Sequence, residues 1–124
     1  KGMAVLDGDY FIGRIVEVNY FSSRVLLVTD LNSKIPVIIE PNGYQALLSG
    51  TGEKIPVLDY LPKNHEIEDG NMVYTSGKDG IFQPGITIGE TRLNNDKITV
   101  SLFSDISQLS YVNVDLGNLR SEEE

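Results

Sequence analysis

The chain is 124 residues long, sets ten basic against eighteen acidic residues for a net charge of −8, and contains no cysteine. That length suits one domain, or two small lobes sharing a core, and buries about two-thirds of the unfolded surface without covalent staples. The acidic balance disfavours nucleic acid and anionic lipid as partners, and the lack of cysteine excludes disulfides, zinc–thiolate sites and thiol nucleophiles.

Residues 3–6 form a short apolar run closed by Asp7-Gly8-Asp9, which reads as a strand and a turn. Residues 10–20 follow as a long strand, with Phe11 and Ile15 on one alternating face and Ile12, Val16 and Val18 on the other. A strand apolar on both faces is buried on both, or bends between two cores. After a break at Asn19 and Phe21-Ser22-Ser23, residues 24–29 give a second strand, and Asp30-Leu31-Asn32-Ser33 turns the chain back. Residues 34–40 come next, where Pro36, having no amide hydrogen, demands a sheet edge or a strand start. Pro41-Asn42-Gly43 is a turn, and residues 44–48 form a strand that ends at Ser49-Gly50-Thr51-Gly52. Residues 54–61 read as another strand, Leu58 and Tyr60 alternating against Val57 and Asp59, before the chain leaves through Pro62-Lys63-Asn64-His65.

The most specific stretch runs from Gly70 to Glu90. An apolar strand, Met72-Val73-Tyr74, ends at Thr75-Ser76-Gly77, and the next strand restarts only after Gln83-Pro84-Gly85-Ile86. Pro84 pre-sets the first central position of a type II turn and Gly85 supplies the positive φ of the second. Phe82 is placed as a core plug held over that turn. Asn94-Asn95-Asp96-Lys97 makes a polar loop, and Ile98, Val100 and Leu102 then alternate with Thr99 and Ser101 as a half-buried strand. Asp105 to Ser110 is expected as one helical turn, with Ile106 and Leu109 on one side, and Val112, Val114 and Leu116 close the fold. The chain frays from Gly117, and residues 121–124, ending in Glu122-Glu123-Glu124, form an acidic tail. About nine strands spaced at roughly 8 to 12 residues, with no long helix, indicate an all-β sandwich or barrel.

A serine hydrolase is the enzyme reading to weigh, since Ser76 and the single His65 stand near Asp59, Asp69 and Asp79 in sequence. Ser76 is not set in a Gly-x-Ser-x-Gly elbow, and small residues at a strand end explain Thr75-Ser76-Gly77 equally well. One histidine without cysteine cannot assemble a zinc site without several carboxylates, and Asp7-Gly8-Asp9 lacks calcium-loop spacing. Gly50-Thr51-Gly52-Glu53-Lys54 falls short of a phosphate loop, and Glu17, Glu40 and Asp59 sit in three separate strand contexts unsuited to paired-carboxylate chemistry. No catalytic residue, metal or cofactor is therefore expected. What remains is a binding surface: Tyr20, Phe21 and Arg24 place two aromatics and a guanidinium at a strand end, the residue types that dominate interface energetics. Phe103 and Tyr111 come next in line.

The order Gly70-Asn71-Met72-Val73-Tyr74-Thr75-Ser76-Gly77, then Phe82-Gln83-Pro84-Gly85-Ile86-Thr87-Ile88-Gly89, resembles the extracytoplasmic domain of the bacterial rod shape-determining MreC family. Weaker matches in the same order lie at Gly13-Arg14-Ile15-Val16-Glu17-Val18, Ser23-Arg24-Val25-Leu26-Leu27-Val28-Thr29-Asp30, Ile35-Pro36-Val37, Tyr60-Leu61-Pro62 and Leu109-Ser110-Tyr111-Val112-Asn113-Val114. Asn71 departs from the family's usual acid, and Tyr10 from its frequent glycine. The resemblance, covering residues 1–120, implies two small antiparallel β-barrel-like lobes, similar to a trypsin-like double barrel without its catalytic residues. It further implies a non-enzymatic, membrane-anchored periplasmic scaffold of the cell-wall elongation machinery. Its partners would be a class B penicillin-binding protein, MreD and RodA, with dimerisation through a coiled coil preceding this stretch, so that the stretch alone is expected as a monomer or weak self-associating species.

Overall fold

The computed structural model describes residues 3–18, 23–78, 83–104 and 113–115. These form ten strands: β1 (Ala4–Asp7), β2 (Tyr10–Val18), β3 (Ser23–Leu27), β4 (Lys34–Glu40), β5 (Tyr44–Ser49), β6 (Val57–Asp59), β7 (Met72–Thr75), β8 (Thr87–Asn94), β9 (Lys97–Leu102) and β10 (Asn113–Asp115). No helix occurs among the described residues.

Six strands close into an antiparallel barrel, β7–β4–β5–β6–β9–β8 and back to β7. β4 shows why: Ile35, Val37 and Ile39 are buried at period two, while Lys34 and Glu40 are exposed. β9 repeats the pattern with Ile98 and Val100. The other four strands form the second lobe, an antiparallel sheet in the order β10–β1–β2–β3. The lobes are stitched by a single parallel pair, Tyr10 to Thr87, between β2 and β8. The all-β class read from the strand pattern is thus present, as are the two lobes that the resemblance implies, one a closed barrel and the other an open sheet, and the choice that periodicity left open between sandwich and barrel falls to the barrel.

The long β2 does serve two cores, though not as strict alternation divides it. Phe11 and Ala4 join the barrel core, while Val5, Ile12 and Ile15 form a second cluster with Met3 and Leu27 packed on it. Ile15 was expected beside Phe11. The β1–β2 register runs Val5 to Gly13 and then Leu6 to Phe11, which leaves Ile12 as the extra residue of a bulge. A bulge resets the parity of the strand, so Ile15 lands on the same face as Ile12.

Two other expectations are corrected. Of residues 54–61, the strand keeps only Val57–Asp59, because Tyr60 takes a φ of +64°, outside the β region, and is 82% exposed rather than paired with Leu58. Pro36 lies in a central strand, not at an edge. It is the third residue of β4, next to the start of the β7 pairing at Val37, and its carbonyl accepts from the Ser76 amide. The expected helical turn at 105–110, the Phe82 plug, Tyr111 and the acidic tail fall outside the described residues, as do Tyr20 and Phe21.

Candidate functional site

Thr75 organises the stretch that the sequence singles out. It is buried, and it makes four hydrogen bonds to the turn at Gln83-Pro84-Gly85-Ile86. Its amide donates to the Ile86 carbonyl at 2.9 Å, and its carbonyl accepts from the Gly85 amide at 2.8 Å. Its hydroxyl donates to the Gln83 carbonyl at 2.8 Å and accepts from the Ile86 amide at 3.0 Å. The bond that ordinarily closes such a turn is therefore made through a threonine oxygen. Gly85 has a φ of +85° in open space, and at Gly77 a Cβ would meet Pro84 Cδ at 2.9 Å, so the ring packs on bare backbone. Gly89 sits where β9 crosses: a Cβ there would lie 2.2 Å from the Ser101 carbonyl oxygen. Asn71, where the resemblance leads one to expect an acid, uses its amide oxygen to accept from the Glu68 amide at 3.0 Å, a role open to a carboxylate as well.

The residues of the hydrolase reading are not brought together. The Ser76 hydroxyl accepts from the Lys78 amide at 3.1 Å, and the Ser76 amide binds Pro36 at the start of β4. His65 lies edge-on to Tyr44, which pairs with Ile39 near the other end of β4, and its Nδ1 accepts from the Ile67 amide. Pro36 and Ile39 are separated by about 10 Å of strand. Asp59 instead accepts from Ser49 at 2.6 Å, and Asp69 accepts from the Leu93 amide at 2.6 Å. Asp79 lies outside the described residues. Among the described residues no group of three metal-ligating side chains converges.

Of the expected contact patch, Arg24 is described: its side chain is largely exposed and stands 4.0 Å from Glu17, also exposed. An ion pair of that kind contributes little. A groove lies elsewhere, between the loop that precedes β6 and the ends of β8 and β9, with a volume of about 770 Å³. The loop Gly52 to Ile55 forms one wall and residues Ser101 to Ser104 the other, with Arg92 and Leu93 at one end. Ile55 and Leu93 are half exposed, and Phe103 packs against Tyr10 with ring centroids 5.4 Å apart and planes tilted by 57°. Three apolar side chains, Ile55, Leu93 and Phe103, thus rim a groove whose remaining lining is largely polar and includes Glu53, Lys54 and Arg92. Sequence reasoning named Phe103 and missed Ile55 and Leu93, which it had no way to distinguish from core residues of their strands.

Residues 1–115 match the family model described as rod shape-determining protein MreC, barrel core. The chain is 37% identical over 123 residues to the cell shape-determining protein MreC of Cereibacter sphaeroides, covering 98% of this chain and 40% of that protein. It therefore spans about two-fifths of the length of that relative. Among solved structures it is similar to MreC from Pseudomonas aeruginosa, with a TM-score of 0.82, 27% identity, and coverage of 92% of this chain and 79% of that one. It also shares its fold with a chain of the complex between penicillin-binding protein PBP2 and MreC from Helicobacter pylori. There the TM-score is 0.64 and the identity 24%, with 80% of this chain and 64% of that one covered. With the family model running from β1 through β10, the chain belongs to the rod shape-determining MreC family, whose barrel core it carries.

Proposed function

We propose that this barrel is part of a non-enzymatic scaffold of the cell-wall elongation machinery, acting outside the cytoplasmic membrane to hold a class B penicillin-binding protein. The observation that carries the reading is a groove rimmed by Ile55, Leu93 and Phe103 on an MreC-family barrel. Its fold is also that of the Helicobacter pylori protein solved with PBP2. Anchoring to the membrane, dimerisation through a coiled coil, and contacts with MreD and RodA would come from the whole protein. Tyr20, Phe21 and Arg24 are proposed as a second contact patch.

The test is calorimetric titration of the chain with the purified ectodomain of the class B penicillin-binding protein from the same organism. Binding with a Kd of about 10 μM or tighter is the expected result. No heat at any accessible concentration, together with a stoichiometric phosphonate adduct on Ser76, would replace the scaffold by a hydrolase. Truncating both Tyr20 and Phe21 to alanine separates the two surfaces: a folded variant that binds like the parent removes the patch and leaves the groove.

A further inference from the structure

The groove exists because one strand ladder stops. β6 and β9 share one residue pair, Val57 with Thr99, and beyond it the Val100 amide donates to the Pro56 carbonyl at 3.0 Å. In an antiparallel ladder the residue opposite would return a bond to the Val100 carbonyl, but Pro56 has no amide hydrogen to give. From there the chain diverges from β9, and Ile55 lies 53% exposed on the far wall. Phe103, the residue after β9, donates its amide to the Ile88 carbonyl of β8. Main-chain direction alternates along a strand, so Leu102 turns its amide and carbonyl the other way, toward the groove. Outside the β8–β9 ladder neither group bonds to a described residue. The buried Ser104 hydroxyl, which lines the same groove, is likewise without a hydrogen-bond partner there.

We infer that this groove receives an extended peptide segment of another protein, which adds to the edge of β9 beyond Pro56, where no described residue pairs with it. Main-chain bonds to Leu102 give it affinity, and alternate side chains seat against Ile55 and Phe103. Local charge sets the rest of its chemistry. On a chain with a net charge of −8, this groove is lined by two cations, Lys54 and Arg92, and one carboxylate, Glu53. Arg92 is held by Glu90 at 2.5 Å, whereas Lys54 has no ion pair among the described residues. The complementary segment is therefore apolar at alternate positions and carries a carboxylate for Lys54. Ser104 offers a donor to whatever polar atom reaches the floor. The inference adds a binding mode to the scaffold reading and holds whichever protein supplies the segment.

The probe is a blocked octapeptide of alternating valine and threonine with one glutamate, titrated into the isotope-labelled 124-residue chain and followed by amide NMR. The Leu102 resonance is expected to shift, and its hydrogen exchange to slow by about tenfold at saturation, because its amide gains a partner. Two further peptides carry N-methyl groups on one or the other alternate set of residues. Because only one set can face β9, their affinities should differ by about tenfold. Ile55→Ser and Lys54→Glu, both at exposed positions, should each weaken the parent peptide by about fivefold while leaving the melting curve unchanged. Equal binding by the two methylated peptides, an unmoved Leu102 resonance at millimolar peptide, or parent affinity in both variants would each overturn the inference. The titration with the transpeptidase is a separate measurement, so failure here leaves that result standing.

Discussion

At the scale of single residues, the stretch from Gly70 to Gly89 rests on a hydroxyl. Thr75→Val keeps shape and burial but leaves the Gln83 carbonyl and the Ile86 amide without the oxygen that joins them. Orphaning buried polar groups costs about 1 to 3 kcal/mol. The melting temperature should fall by about 3 °C or more for each kcal/mol, measurable by circular dichroism. Gly85 poses a cleaner question, because its surroundings are open and the strain of a side chain would come from φ alone. Gly85→Val should cost about 1 to 2 kcal/mol and Gly85→Asn clearly less, since asparagine tolerates the left-handed region. Equal melting curves for the two variants would show that φ is not the controlling term. The glycine at this turn was legible from Pro84-Gly85 alone. The threonine was not, because the identity of the hydroxyl that closes the turn depends on a strand eight residues upstream.

At the scale of elements, the tetrapeptide Lys-Ile-Pro-Val marks where sequence reading ran out. It occurs at residues 34–37, inside β4 with Ile35 buried, and again at residues 54–57, where only Val57 is in a strand and Ile55 faces outward. Local propensity is identical and the neighbours decide: β5 and β7 flank the first copy, while of the second copy only Val57 is paired, with Ser49 of β5 and Thr99 of β9. Turns, alternation and the β8–β9 hairpin were readable because each depends on contiguous residues. The groove was not, because it is made by two segments more than forty positions apart. The hairpin carries its own prediction. Gly89→Ala drives a Cβ against the Ser101 carbonyl, backbone against backbone, so neither side can yield cheaply. A loss of about 1 to 3 kcal/mol is expected from urea unfolding, from one added methyl group.

At the scale of the whole molecule, two lobes share a boundary that is thin in hydrogen bonds and thicker in packing. One parallel pair joins β2 to β8, yet Ala4 and Phe11 are set into the barrel core. The outer strand β3 is anchored in the barrel core only by Val28, the residue after its end, and among the described residues it pairs with β2 alone. Its amides should exchange through openings smaller than global unfolding, with protection below that of β4, which is paired on both sides. Native-state hydrogen exchange in increasing denaturant resolves the two sets, and identical free energies for them would make the lobes a single cooperative unit.

The ladder that ends at Pro56 also has a consequence in time. β4 with β5, and β8 with β9, are neighbours in sequence and close short loops, whereas pairing Val57 with Thr99 must draw together distant parts of the chain for one residue pair of reward. Loop-closure entropy therefore places this junction after the rate-limiting step, as the last stitch made and the first released. Val57→Ala should accelerate unfolding in proportion to its full loss of stability and leave the refolding rate unchanged, a φ-value near zero in a chevron analysis. The barrel would then spend its rare excursions from the native state as an unrolled sheet, its two free margins being β6 and β9.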